Sequence, residues 1–301
     1  IKLLGRIDVV EKRRPQDGRI KTRNPRGEEV EMRLSTLPTA FGEKMVMRIF
    51  DPDNTVKNLD ALGFAPHDAQ RWEALVKRPH GIILVTGPTG SGKTTTLYAG
   101  LGRLDATRNN IMTVEDPIEY ELPGVGQTQV NSKIDLTFAK ALRAILRQDP
   151  DIIMIGEIRD FETAQIAIQA SLTGHLVLAT LHTNDAASAV TRLIDMGVEP
   201  FLLSSSLLGV LAQRLVRKYC GSCHGKGCEA CGHTGYAGRT GVFELLVTDD
   251  AIRAQIHAQA SEAEIRTAAL AAGMTLMRED GERLIAAGIT SREEVLRVTR
   301  D

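Results

Sequence analysis

The stretch GIILVTGPTGSGKTTTLYAGL, residues 81–101, decides the fold of this chain. An apolar run of strand length, IILVT, leads into a glycine-rich loop, and the helical pattern TTLYAGLGRL follows. The loop has the spacing GxxxxGK[ST], in which glycines allow backbone N–H groups to turn inward around phosphates. Its residues are Gly87, Pro88, Thr89, Gly90, Ser91, Gly92, Lys93 and Thr94. We therefore predict an ATP-binding phosphate loop in which Lys93 faces the outer phosphates and the Thr94 hydroxyl binds Mg²⁺.

Apolar runs of strand length alternate with helical patterns from residue 81 onward. Three further runs are NIMTVED, DIIMIGE and GHLVLATLH, at residues 110–116, 151–157 and 174–182. Near-continuous Ile, Leu and Val in such runs is typical of a parallel sheet that is covered by helices on both faces. Ligands of these sheets bind beyond the carboxyl ends of the strands. The pattern predicts an α/β fold with its site at that edge.

Polar side chains follow each of these strands. Hydrolysis of a nucleotide requires a carboxylate that holds the metal or activates water. We predict that Glu157 has this role and that Glu115 is the second candidate for the base, whereas Glu119 could equally be a solvated charge. His182 is predicted to sense the terminal phosphate. His175 begins the same strand on the opposite side of the pleat, so it shares no metal with His182 and could equally be structural.

The chain is long enough for more than one domain, with 301 residues, of which 43% are hydrophobic and 25% charged. Between Gly18 and Phe50 the pattern predicts a small antiparallel sheet, and Ser261 and Ser291 are predicted helix caps. The predicted domains are an N-terminal sheet domain (1–57), a linker with a leading helix (58–80), an ATPase core (81–215), a tetracysteine subdomain (216–240) and a C-terminal helical domain (241–301).

The charge balance gives no overall preference for nucleic acid, because the formal net charge is −1. Residues 1–50 are locally basic, with 12 Lys and Arg against 7 Asp and Glu. No apolar run approaches the roughly 18 residues that a membrane span requires, so we expect a soluble, cytoplasmic protein. Because the chain begins at Ile1, we also expect that a natural N-terminal portion precedes it.

Four boxes resemble the signatures of the type II secretion and type IV pilus ATPase family. They are GPTGSGKTTTLYAGL, TVEDPIEYELPGVGQTQVN, LRAILRQDPDIIMIGEIRD and LTGHLVLATLHTND, and the resemblance extends over residues 1–240. It implies a RecA-like P-loop NTPase core with a small N-terminal α/β sheet domain. The stretches VEDPIEY and GQTQVN are more similar to the type II secretion branch than to the pilus branches.

This resemblance implies a homo-hexamer that hydrolyses ATP between neighbouring subunits. Arg33 in EMRLST and Arg48 in VMRIF match the family's arginines that reach the nucleotide from the N-terminal sheet domain. The implied partners are an inner-membrane platform protein and a cytoplasmic recruiting protein. The expected location is the cytoplasmic side of the bacterial inner membrane, with peripheral association through these partners.

Three alternatives stay open at this point. The first is a type IV pilus assembly ATPase, which shares the family's boxes. The second is a ring ATPase that moves DNA, although the low net charge and the aromatic content of 4% do not favour nucleic-acid binding. The third is a scaffold that binds nucleotide without hydrolysing it.

All four cysteines lie within twelve residues as two CxxC pairs, Cys220 with Cys223 and Cys228 with Cys231. Two such pairs offer four thiolates to one tetrahedral Zn²⁺, and we predict a structural zinc site. The intervening loop, HGKG, is shorter than in zinc ribbons and in the resembling family, which places the geometry in question. Reduced metal-free thiols and a redox pair or disulfide are the alternatives.

Overall fold

The computed structural model describes residues 1–27, 29–50 and 59–299. The chain divides into two compact units, Ile1–Val56 and Lys57–Asp301. The predicted domain boundary between residues 57 and 58 lies outside the described residues, whereas residues 59–80 of the predicted linker and leading helix are described.

The first unit contains the antiparallel sheet that the sequence predicts. Its strands pair in the order β1-β2-β3. They are β1 Gln16–Arg23, β2 Glu29–Thr39 and β3 Gly42–Phe50. Ile20, Val30 and Leu34 are buried. Alternate residues of a strand share one face, and Leu34 lies four residues beyond Val30, so apolar side chains collect on one side of this sheet.

The second unit is built on a seven-stranded sheet with the order β10-β9-β4-β8-β7-β5-β6. These strands are β4 Gly81–Thr86, β5 Ile111–Glu115, β6 Val125–Gln129, β7 Ile152–Ile155, β8 Leu176–Leu181, β9 Leu207–Tyr219 and β10 Tyr236–Val247. Six of them run parallel, and β10 pairs antiparallel with β9. The carboxyl ends of β4, β5, β7 and β8 therefore meet at one edge, as the sequence predicts.

The described residues of this unit form ten α-helices. They are α1 Pro66–Val76, α2 Lys93–Leu101, α3 Phe138–Ile145, α4 Phe161–Leu172, α5 Ala186–Asp195, α6 Pro200–Ser206, α7 Asp250–His257, α8 Glu262–Ala271, α9 Met277–Ala286 and α10 Arg292–Thr299. Ser261 caps α8 through a reciprocal bond with Glu264, and the Ser291 hydroxyl accepts the Glu294 N–H. Within the described ranges, no helix is both long and apolar enough to cross a membrane.

Helices cover both faces of the seven-stranded sheet, which explains why its central strands are apolar throughout. In β4, Ile82 and Leu84 pack into one core with α3 to α8, whereas Ile83 and Val85 pack into the other core with α1 and α2. All four side chains are 0% exposed. Full burial of each contributes about 1.5–3 kcal/mol relative to exposure. The predicted two-sided parallel sheet is confirmed.

Strands β9 and β10 carry the chain from the sheet out to the cysteines and back. Their ladder runs from Val247↔Gly209 to Tyr236↔Tyr219. The predicted limits at 215/216 and 240/241 fall within these two strands. A single ladder, with one register shift between Tyr236 and Arg239, joins the core sheet to the cysteine segment. A small separate core of Val216, Val242, Leu284 and Val295 packs α9 and α10 against this ladder.

Candidate nucleotide site and cysteine cluster

The phosphate loop joins the end of β4 to the start of α2. Gly90 and Gly92 have φ values of +79° and +89°, which residues with a Cβ rarely adopt. Lys93 opens α2 and is 9% exposed, and its Nζ donates to the carbonyl oxygens of Gly87 at 2.7 Å and Pro88 at 3.1 Å. Thr94 follows in the first turn and is half-buried. This geometry fits the phosphates of a nucleotide, because the loop, the N-terminus of α2 and the lysine charge all favour anions.

A chain of polar contacts links Lys93 to Glu157. Lys93 Nζ lies 3.5 Å from His182 Nδ1, and His182 Nε2 lies 3.0 Å from Glu157 Oε1. Burial lowers the pKa of Lys93 to about 8, with Arg214 acting in the same direction and the charge of Glu157 opposing both. The structure thus brings together three side chains that the sequence predicts, from the ends of three different elements.

Glu157 is placed where water can reach it. Its side chain is 18% exposed, and its second oxygen, Oε2, accepts from Arg159 Nε at 2.7 Å. Arg159 also lies 3.6 Å from Asp116 of the predicted acidic box. Glu157 lies two residues beyond the end of β7, so the strand ladder does not enclose its carboxylate.

Glu115 has a different environment. It is the last residue of β5 and is 2% exposed. Its carboxylate accepts hydrogen bonds from the Tyr98 and Thr113 hydroxyls and from Gln127 Nε2 at 3.1 Å. Burial, followed by the charge of Glu115, raises the pKa of Tyr98, which therefore stays protonated as the donor. These bonds tie α2, β5 and β6 together and engage both oxygens of Glu115.

His175 lies at the amino end of β8, away from His182 at its carboxyl end. Its Nδ1 is 2.9 Å from the Ala170 carbonyl oxygen and 3.3 Å from the Thr173 hydroxyl. Both partners belong to the C-terminal end of α4, so His175 connects that helix to the strand that follows it. This is the structural arrangement that the sequence leaves open.

The four cysteines converge, although only four residues separate the two CxxC pairs. Their sulfur atoms all lie within 4.8 Å of one another. Cys220 to Cys228 is 3.9 Å, and Cys223 to Cys231 is 3.8 Å. A tetrahedron with Zn–S bonds of about 2.3 Å has sulfur separations of about 3.8 Å, so the cluster fits one zinc ion. A disulfide requires about 2.05 Å, and all four cysteines are free.

Residues with a left-handed backbone explain how a loop of only four residues can bring the two CxxC pairs together. His224 and Gly225 follow the first pair with φ values of +48° and +90°, and Gly227 precedes the second pair at +86°. The N–H groups of Cys228 and Gly235 both point at Cys231 Sγ, at 3.2 Å. The first of these bonds, helped by the second, lowers the pKa of the Cys231 thiol to about 6 against the effect of burial. A thiolate is the form that binds zinc.

Comparison with known proteins places this architecture in a family. Residues 1–297 match the family described as "Type II/IV secretion system protein". The chain belongs to this family. A type II secretion system protein, HxcR of Pseudomonas aeruginosa, is 63% identical over 309 residues, which cover 100% of this chain and 66% of the relative. A type IV pilus assembly ATPase, TfpB of Acinetobacter baylyi, is 53% identical over 325 residues, which cover 99% of this chain and 56% of the relative.

The fold also matches a solved member of the secretion and pilus ATPases. The crystal structure of the pilus retraction motor PilT with bound ADP superposes with a TM-score of 0.75 at 31% identity. The match covers 96% of this chain and 78% of that one. The chain spans less than two thirds of the length of the two sequence relatives, at 66% and 56%.

The family's two predicted arginines are neighbours in the N-terminal sheet. Arg33 of β2 pairs directly with Arg48 of β3, and Arg19 of β1 pairs with Arg33 from the other side. Paired residues of adjacent strands project to the same face, so these three arginine side chains share one face of the sheet. Arg33 and Arg48 are predicted from the family's motifs, whereas Arg19, in the stretch QDGRI at residues 16–20, is not.

Two polar residues of β9 also contact the site, and the sequence did not predict their role. Arg214 of β9 donates to the Asn184 carbonyl oxygen at 2.9 Å, beside the end of β8. Gln213 contacts the phosphate loop itself. Both belong to AQRLVR, which reads as a strand with ordinary polar positions. Only the parallel pairing of β9 with β4 places these two residues at the carboxyl edge of the sheet, beside the phosphate loop.

Proposed function

We propose that this chain is the catalytic part of a secretion ATPase, which hydrolyses Mg-ATP to drive pseudopilus assembly and protein export by a type II secretion system. One observation carries this proposal: Glu157 contacts His182, which lies beside the phosphate-loop Lys93 at the carboxyl edge of the sheet. A phosphate loop alone binds nucleotide. A carboxylate beside it adds the group that hydrolysis requires.

The proposed chemistry divides the work among these side chains. Lys93 stabilises negative charge on the outer phosphates, and Glu157 accepts a proton from the water that attacks the terminal phosphorus. The bond from that phosphorus to the bridging oxygen then breaks, and ADP leaves with the electron pair. His182 orients Glu157 through their contact. Mg²⁺, held by Thr94, supplies positive charge to the phosphates when it is bound.

The assembly that we propose is a homo-hexamer, in which Arg33 and Arg48 stabilise charge on the transferred phosphoryl group. The expected partners are an inner-membrane platform protein and a cytoplasmic recruiting protein, and the expected location is the cytoplasmic face of the inner membrane. Family membership supports these proposals. Zinc bound by Cys220, Cys223, Cys228 and Cys231 would be structural, because four thiolates leave no position for a reacting water.

The higher identity to a type II secretion protein than to a pilus ATPase supports the type II assignment. A pilus assembly ATPase is the second candidate, because the Acinetobacter relative has that name. The matching part of the Pseudomonas relative can be replaced by this chain in a strain that lacks the native gene. Restored export of a type II substrate is the expected result. Failure of that export, together with restored pilus assembly when this chain replaces the matching part of the Acinetobacter relative, would favour the second candidate.

Replacing Lys93 with Met tests nucleotide binding directly. We expect Mg-ATP to bind at least about tenfold more weakly, because hydrogen bonds to charged groups contribute about 1.5–3 kcal/mol. Isothermal titration with a slowly hydrolysed ATP analogue measures the change. Lys140→Met is the matched control, since Lys140 is an exposed residue of α3 that pairs with Asp135. Equal binding by wild type and Lys93→Met would contradict the proposed site.

A further inference from the structure

Strand β9 places one buried amide side chain behind the phosphate loop. The parallel pairing of β4 with β9 ends at Thr86↔Ala212, so Gln213 comes next, level with the start of the loop. Gln213 is 1% exposed, and its Nε2 donates to the Ser91 carbonyl oxygen at 2.7 Å. This side chain therefore bonds the loop to a strand that lies 122 residues further along the chain.

The bond fixes the direction of one peptide group of the loop. The Ser91 carbonyl and the Gly92 N–H belong to the same peptide plane, and a trans peptide points these two groups in opposite directions. When the Ser91 oxygen is held towards β9, the Gly92 N–H must point away from β9. Gly92 is the N-cap of α2 with φ at +89°, so its N–H belongs to the helix start that attracts phosphate.

Packing around this bond leaves little room for the peptide to rotate. A Cβ added at Gly87 would lie 2.5 Å from the Gln213 carbonyl oxygen and 2.6 Å from Ser91 Oγ. A Cβ added at Gly92 would lie 3.2 Å from Gln213 Nε2. Gly87 and Gly92 are thus needed partly because β9 packs against the loop. At this contact, Gln213 donates a hydrogen bond to the loop.

We propose that Gln213 is a positioning residue for nucleotide binding, whose amide fixes the Ser91–Gly92 peptide so that the Gly92 N–H faces the phosphates of a nucleoside di- or triphosphate. This proposal rests on the proposed function, because it takes the phosphate loop as a nucleotide site. In this role Gln213 contacts the loop and not the nucleotide. Its effect on affinity passes through the orientation of the loop.

The chemistry of the amide gives a specific way to test this role. Methionine at position 213 fills a similar volume but donates no hydrogen bond to the Ser91 oxygen. An ionised glutamate has the shape of glutamine but only accepts, so it opposes the Ser91 oxygen. Burial raises the pKa of a carboxyl, and the protonated form regains one O–H donor. Gln213→Glu should therefore recover at low pH, whereas Gln213→Met should not.

The experiment measures the dissociation constant of a fluorescent Mg-ADP for wild type, Gln213→Met and Gln213→Glu between about pH 6 and pH 8, a range chosen to bracket a raised carboxyl pKa. Each measurement is made at a temperature at which circular dichroism shows the protein folded. We expect Gln213→Met to bind about tenfold more weakly at every pH, with kcat at saturating ATP within about threefold of wild type. Gln213→Glu should match that loss at the upper pH and approach wild type at the lower pH. Gln169→Met, at an exposed position on α4, is the matched control.

Three results would overturn the proposal. If both variants bind Mg-ADP within about twofold of wild type while folded, Gln213 has no positioning role. If their unfolding midpoints fall but their affinities do not, the amide stabilises the fold and nothing more. If wild type itself fails to bind Mg-ADP or Mg-ATP, the proposed function fails together with this inference, and that result is distinct from the first two.

Discussion

Replacing Glu157 with Gln should lower kcat for ATP hydrolysis by about 10²- to 10⁴-fold, the usual contribution of a general base. The amide has the shape of the carboxylate but accepts no proton at neutral pH, and it keeps an oxygen for the contact with His182 at 3.0 Å. Affinity for Mg-ATP should therefore change by no more than a few fold. Steady-state phosphate release and equilibrium binding of a slowly hydrolysed analogue measure the two quantities separately.

Two further variants make this result specific. Glu162→Gln is the matched control, because Glu162 is an exposed residue at the start of α4 that pairs with Arg143 at 2.6 Å. Glu115→Gln tests the second candidate for the base. We expect a much smaller loss of kcat there, because Glu115 is 2% exposed and its carboxylate already accepts from three donors. A large loss in Glu115→Gln with normal turnover in Glu157→Gln would transfer the role of base to Glu115.

The contrast between these two glutamates shows what the sequence can predict about the site and what it cannot. The spacing of polar residues after apolar runs predicted that Glu115, Glu157 and His182 follow parallel strands at one edge. The spacing could not predict which of the two glutamates, Glu115 or Glu157, has the buried carboxylate. Glu115 is the last residue of β5, within the ladder, whereas β7 ends at Ile155 and leaves Glu157 beyond it. A difference of two residues at a strand end decides the environment, and sequence patterns locate strand ends no better than that.

The contribution of β9 could not be predicted for a different reason. Gln213 and Arg214 lie more than a hundred residues after the phosphate loop, and their positions depend on which strand pairs with β4. Apolar periodicity reports that a strand exists and which residues share a face. It does not report the neighbour of that strand in the sheet. The predicted domain limits at 215/216 and 240/241 fall inside β9 and β10 for the same reason. The cysteine spacing predicts a subdomain, but it does not predict that β9 and β10 pair with each other.

Replacing Cys231 with Ser should remove most of the bound zinc and destabilise the cysteine segment. Structural zinc sites bind with about 10–16 kcal/mol at neutral pH, so one of four thiolates accounts for about 3 kcal/mol, or about a hundredfold in affinity. Cys231 is the best choice because its sulfur accepts the N–H groups of Cys228 and Gly235, both at 3.2 Å, in addition to any bond to the metal. Zinc content after dialysis, measured by inductively coupled plasma mass spectrometry, should fall from about one ion per chain to well below one.

The cysteine segment is anchored to the core by contacts that involve no metal, so the effect of losing the proposed zinc should be local. Tyr219 is the last residue of β9 and Tyr236 is the first residue of β10, and their rings stack with centroids 5.5 Å apart. The Arg217 guanidinium lies 4.3 Å from the centre of the Tyr236 ring. Glu294 of α10 accepts from Arg217 Nη2 at 2.7 Å. Proteolysis between Cys220 and Tyr236 should therefore accelerate in Cys231→Ser, while the unfolding midpoint of the core changes less. Ser222→Ala, an exposed change within the same segment, should retain zinc and resist cleavage. Full zinc content in Cys231→Ser would contradict the role of Cys231 as a ligand. No zinc in metal-replete wild type would contradict the zinc assignment and favour the metal-free thiols.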